Sequence, residues 1–130
     1  MFYLLNGLLL LVGCGGEQGY VDPFGMYEGN YGSINETLII NKDGTYSQNF
    51  ELDGTSIFTS KGKWSKVKDK AGHILFYDYI YLFDAKTLTF KAPSNQLRTN
   101  ASGTLSKGFN ELVFYRDVHY LLNRKNDSVE

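Results

Sequence analysis

The sequence predicts an all-β fold, a small antiparallel up-and-down barrel of about eight strands. Three observations carry this expectation. From Phe24 onward short apolar–polar alternations follow one another, and no segment keeps the period of about 3.6 residues that marks a helix. Turn signals stand between them, with Asp43-Gly44 and Asp53-Gly54 the strongest hairpin cues. The composition supplies strand formers, ten Tyr and nine Phe with frequent Gly and only two Pro.

The elements follow in order. GMYEGNYG (25–32) sets Met26, Glu28 and Asn30 against Tyr27 and Tyr31, and ETLIIN (36–41) places Leu38 and Ile40 on one face. Lys42-Asp43-Gly44 turns the chain into TYSQNFEL (45–52), where Tyr46, Gln48, Phe50 and Leu52 share a parity. Asp53-Gly54 turns it again into TSIFTSKGKW (55–64), which ends at Trp64, and the lysine-rich SKVKDKAG (65–72) brings it back. HILFYDYIYLF (73–83) is the next strand, and TLTFKA (87–92) is expected to pair with it. PSNQLRTNASG (93–103) reads as a loop by composition. FNELVFYRD (109–117) and VHYLLNRK (118–125) make a terminal pair, followed by a fraying NDSVE tail.

Strands this numerous and short must close or stack, because an open sheet leaves unpaired edges. Sequential hairpins favour the up-and-down barrel over a Greek-key sandwich. The expected inward residues are Leu38, Ile40, Tyr46, Phe50, Trp64, Phe76, Phe90 and Phe114, mostly bulky. The segment 73–83 is apolar on both parities: Tyr77, Tyr79 and Tyr81 lie on one, Ile74, Phe76, Ile80 and Leu82 on the other. Either something covers an outer row of tyrosines, or the strand bulges near Asp78 and exchanges its faces.

The opening is a segment apart. Its first charged residue is Glu17, and Met1 to Val12 is apolar save Asn6 and Gly7. That is far short of the roughly 20 residues that cross a bilayer and fits the apolar region of an export signal. Leu11-Val12-Gly13-Cys14 resembles the lipobox of bacterial lipoproteins. The resemblance implies cleavage after Gly13, a diacylglyceryl thioether on Cys14 and acylation of its new amino group, hence a membrane anchor of fatty chains such as palmitate. It divides the chain into a signal peptide (1–13), a lipidated Cys and flexible tether (14–24) and a barrel domain (25–130). Gly15, in place of an acidic residue after the cysteine, points by the same resemblance to a cell-envelope protein at the outer membrane of a Gram-negative bacterium.

The folded part in turn resembles small bacterial lipocalin-like domains. Gly25-Met26-Tyr27, the hairpin from Thr37 to Tyr46 and Gly62-Lys63-Trp64 carry that resemblance. What it implies is a barrel whose interior takes a small apolar ligand.

Little else points to chemistry. Thirteen basic against fourteen acidic side chains argue against a nucleic-acid binder. His73 and His119 lack metal-ligand spacing, and no Gly-x-Ser-x-Gly elbow or phosphate-cradling loop occurs, so neither an enzyme nor a metal or cofactor is expected. Lys61, Lys63, Lys66, Lys68 and Lys70 form the densest charge cluster, either a solvated edge or a contact for anionic headgroups or an acidic partner. Lys61 and Lys63 with Tyr77, Tyr79 and Tyr81 are the candidate binding surface. Two functions are therefore in play: a lipid-anchored, non-catalytic module that binds another envelope macromolecule, and a carrier of a small apolar ligand. The carrier predicts a lined cavity of about 300 Å³ or more, and finding one would put it ahead of the binding module.

Overall fold

The structure is a computed structural model that describes residues 22–106, 108, 110–115, 117 and 119–125. Its strands are β1 (Gly25–Tyr31), β2 (Ile34–Ile40), β3 (Thr45–Leu52), β4 (Thr55–Lys66), β5 (His73–Ile80), β6 (Phe83–Asp84), β7 (Thr89–Phe90), β8 (Arg98–Ser106), β9 (Glu111–Tyr115) and β10 (Tyr120–Arg124). Eight of them close an antiparallel barrel in the order β1-β10-β9-β8-β5-β4-β3-β2, and β6 with β7 forms a separate two-stranded piece. Apart from that insertion every barrel strand pairs with its neighbours in sequence, and β1 meets β10 through Tyr27 opposite Arg124. The expected all-β up-and-down barrel is the fold.

Local chemistry explains the turns. Asp53 and Gly54 both adopt positive φ, 52° and 85°, the two-residue turn whose twist matches its flanking strands, and Leu52 faces Thr55 across it. At the β2–β3 turn, Asp43 Oδ1 accepts from the backbone N–H and hydroxyl of Thr45, at 3.0 and 2.6 Å. That local pairing holds the Asp43 carboxyl below its ordinary range.

The eighth wall strand is not the expected one. TLTFKA contributes only Thr89 and Phe90 to the small hairpin outside the wall, whereas Arg98–Ser106, two thirds of it inside the segment read as a loop, forms β8. Its inward residues are Ala101, Gly103 and Leu105, all buried. At Gly103 a large side chain stands opposite: a Cβ there would lie 2.8 Å from Leu112 Cδ1. A polar, small-residue strand carries the composition of a loop.

Inside, two layers stack. The lower holds Tyr27, Leu38, Ile40, Tyr46, Ile74, Phe76 and Tyr79, and the upper Phe50, Ile80, Leu82, Phe83 and Tyr120. Phe90 of β7 stacks on Tyr31 at 4.8 Å and packs edge-on to Phe83 and Tyr120, so the insertion roofs the upper end. The lower end is where the chain comes in. There Tyr27 donates to the Pro23 carbonyl at 2.7 Å, Arg124 Nη2 donates to the Phe24 carbonyl at 2.9 Å, and Phe24 meets Trp64 edge-on. Asp22 to Phe24, the last residues assigned to the tether, are thus strapped onto the barrel.

Candidate functional site

The lumen is occupied by the protein's own side chains. Tyr27, Tyr79, Tyr120, Phe50 and Phe76 are each 0 % exposed, and Tyr46 is 1 %. Glycines make room for this packing. Gly62 faces Tyr46 across β3 and β4, and the Tyr46 ring lies over it so closely that a Cβ there would stand 2.6 Å from Cζ.

One polar cluster sits within this apolar fill. Glu36 shares the inward parity of Leu38 and Ile40 and is fully buried. Its Oε2 accepts from the Tyr79 hydroxyl at 2.6 Å and from Gln48 Nε2 at 3.0 Å, while Oε1 has no hydrogen-bond partner. Burial pushes the carboxyl up to about 7, against the pull of the two donors. Burial likewise holds the Tyr79 and Tyr120 hydroxyls well above their ordinary range. A carboxyl with such a pKa has the poise of a general acid–base group, but a sealed position gives a substrate no approach. Its visible role is to tie β2, β3 and β5 together.

These side chains also repair a gap in the wall. β4 pairs with β5 only from Trp64 to Lys66, so β5 lacks a ladder partner above Phe76 on that side. Three side chains supply the missing bonds. Tyr46 donates to the Tyr77 carbonyl at 2.6 Å, and Gln48 bonds both backbone groups of Ile80. Arg98 Nη1 reaches Ser60 Oγ at 2.9 Å and the Asp78 carbonyl at 3.1 Å.

The tyrosine row does not exist as a surface. β5 bulges between Phe76 and Tyr79, with Asp78 at φ 57°, so Tyr77 and Asp78 occupy the space of one residue opposite β8. The bulge exchanges the faces. Tyr77 is 39 % exposed and bonds Ser65 Oγ outside, Tyr79 is wholly inside, and Tyr81 is half-buried against Tyr120 and Phe114. Tyr79 therefore leaves the candidate binding surface. Lys61 and Lys63 point outward on β4, and Lys63 lines an open depression of about 610 Å³ with Tyr77, Asp43 and Trp64. Cys14 lies outside the described residues, as do the signal peptide and most of the tether. Among the described residues no three His, Cys, Asp or Glu side chains gather as metal ligands, and no helix is long and apolar enough to cross a membrane.

A second feature lies at the lower end. The β4–β5 turn and the strapped segment frame an open cleft of about 490 Å³. Pro23, Val67, Ile74 and Leu105 form apolar parts of its lining, and Lys66, Lys68 and Lys70 its cationic edge. The cavity size set for a carrier is reached here, at the mouth and not in the lumen.

Sequence reasoning passed over Glu36. Its signal was a charged residue in phase with Leu38 and Ile40, on the face of β2 that is otherwise apolar. Comparison with protein-family models, with curated proteins and with solved structures gives no significant match.

Proposed function

We propose that this chain is a lipid-anchored, non-catalytic binding module of a bacterial cell envelope, held at the outer membrane by acyl chains on Cys14. The observation that carries the reading is the filled lumen. With Tyr27, Tyr46, Phe50, Phe76 and Tyr79 occupying the interior, recognition falls to the outside of a rigid body. The lipobox of Leu11-Val12-Gly13-Cys14 supports the anchor, and Tyr77 with Lys61 and Lys63 supplies an outward polar-aromatic face for another envelope macromolecule. Catalysis has no support in Glu36, the described carboxyl with a raised pKa, because it is sealed.

The second reading, a lipocalin-like carrier of a small apolar ligand, is favoured by one observation. The cleft at the lower end is large enough, with apolar side chains along its lining.

Two measurements separate these readings. A photo-crosslinker at Tyr77 or Lys63, compared with one at the outward Ser102 of β8, is expected to give a discrete macromolecular adduct from the first face alone. Native mass spectrometry of protein taken from its own membranes is expected to give the acylated chain without a bound small molecule. A stoichiometric apolar ligand, with no face-specific adduct, would make the chain a carrier.

A further inference from the structure

From the lower end of the barrel we infer a docking surface for anionic phospholipid headgroups, one that stands the barrel on the membrane instead of leaving it loose on its tether. The inference deepens the proposed function and rests on the acylation of Cys14.

Chain geometry comes first. Seven residues, 15–21, separate Cys14 from Asp22. An extended chain advances at most about 3.6 Å per residue, so Asp22 is held within about 30 Å of the anchoring sulfur. Asp22 to Phe24 are fixed to the lower end by the Tyr27 and Arg124 hydrogen bonds, so the tether joins the barrel at that end, which docking would make the membrane-proximal one. The roofed end, with Phe83 and Phe90, is the distal one.

Charge comes second. Lys66, Lys68 and Lys70 are exposed around the β4–β5 turn, with Asp69 the acid among them. Three backbone hydrogen bonds hold the turn: Val67 N–H donates to the His73 carbonyl, His73 N–H to that of Lys70, and Lys70 N–H to that of Val67. Lys42 Nζ lies 5.6 Å from the Phe24 ring centre at the same end. The nearby Asp43 carboxylate is turned back onto Thr45.

Shape comes third. Behind the lysines the cleft is lined by half-buried Val67 over the buried Pro23, Ile74 and Leu105, and beside it Phe24 and Trp64 pack together, half-buried. Cations before an apolar recess, flanked by a Trp, match the boundary between anionic headgroups and acyl chains. Each lysine near such a surface is worth about a fivefold preference for the docked state, so reversing three lowers it at least about a hundredfold.

Trp64 is the single tryptophan of the chain and serves as the reporter. The full acylated protein, purified from bacterial membranes, is placed in vesicles carrying a headgroup nitroxide, made of phosphatidylcholine alone or with phosphatidylglycerol. The mass of the Cys14 peptide is read on the same sample. Docking predicts Trp64 quenching on phosphatidylglycerol vesicles, weak quenching on phosphatidylcholine, and its loss in the K66E/K68E/K70E variant. About 0.5 M salt, which shortens the screening length from about 10 Å at 0.1 M to about 4 Å, removes it from the wild type and needs no variant. Equal quenching on both vesicles, or none on the anionic ones with Cys14 acylated, overturns the docking surface and leaves the anchor standing. An unacylated Cys14 overturns both.

Discussion

The side-chain amide of Gln48 satisfies both backbone groups of Ile80: Nε2 donates to its carbonyl at 3.1 Å, and Oε1 accepts its N–H at 3.0 Å. An amide can replace a missing strand because it presents a donor and an acceptor at nearly peptide spacing. β4 does not pair with β5 at this height, so the barrel closes here through a side chain. Gln48→Leu keeps the volume and strands Ile80 N–H and C=O in the interior. The expected loss is about 2–4 kcal/mol of unfolding free energy, read as a lower urea midpoint at unchanged slope.

Glu36 makes stability depend on pH. Its folded pKa is about 7, raised from 4.5 by burial. Below about 4.5 both folded and unfolded chains hold the proton, and its contribution to stability is fully present. Between about 4.5 and about 7 only the folded chain keeps it, so stability falls as pH rises, by about 3 kcal/mol across the window. Glu36→Gln removes that slope, measured as urea midpoints at about pH 5 and about pH 8. Tyr79→Phe deletes a donor to Oε2 and moves the folded midpoint upward.

Gly62 is required by the Tyr46 ring above it, which would lie 2.6–2.7 Å from an added Cβ at Cζ and Cε2. Gly62→Ala displaces that ring and its bond to the Tyr77 carbonyl, at an expected cost of about 1–3 kcal/mol. Combined with Tyr46→Leu, the double variant costs less than the sum of the two single changes, a coupling that a double-mutant cycle in urea reads directly.

At the β5 bulge, Asp78 holds φ 57°. Asp78→Gly relieves that backbone and leaves stability equal or higher, whereas Asp78→Val costs about 1–3 kcal/mol. Thermal midpoints of the two variants, measured side by side, check the ordering.

The turns and most inward residues were legible because glycine–aspartate chemistry and parity act locally. Leu38, Ile40, Tyr46, Phe50 and Phe76 are buried as their alternation requires. β8 was not legible, since its inward Gly103 is small for a reason set by Leu112 across the sheet. The same holds for TLTFKA: Phe90 is apolar because it roofs the barrel, and periodicity cannot tell a roof from a wall. The site divides likewise. The exchange of faces at Asp78 was one of the two readings that apolar residues on both parities left open, while the Glu36–Gln48–Tyr79 cluster needed the tertiary meeting of β2, β3 and β5.

The lipid anchor on Cys14 is tested in cells by metabolic labelling with a clickable palmitate analogue. The wild-type chain is expected to take up label and to migrate with membranes, and Cys14→Ala to do neither. Equal absence of label from both, with the wild-type chain in the aqueous fraction, would contradict it.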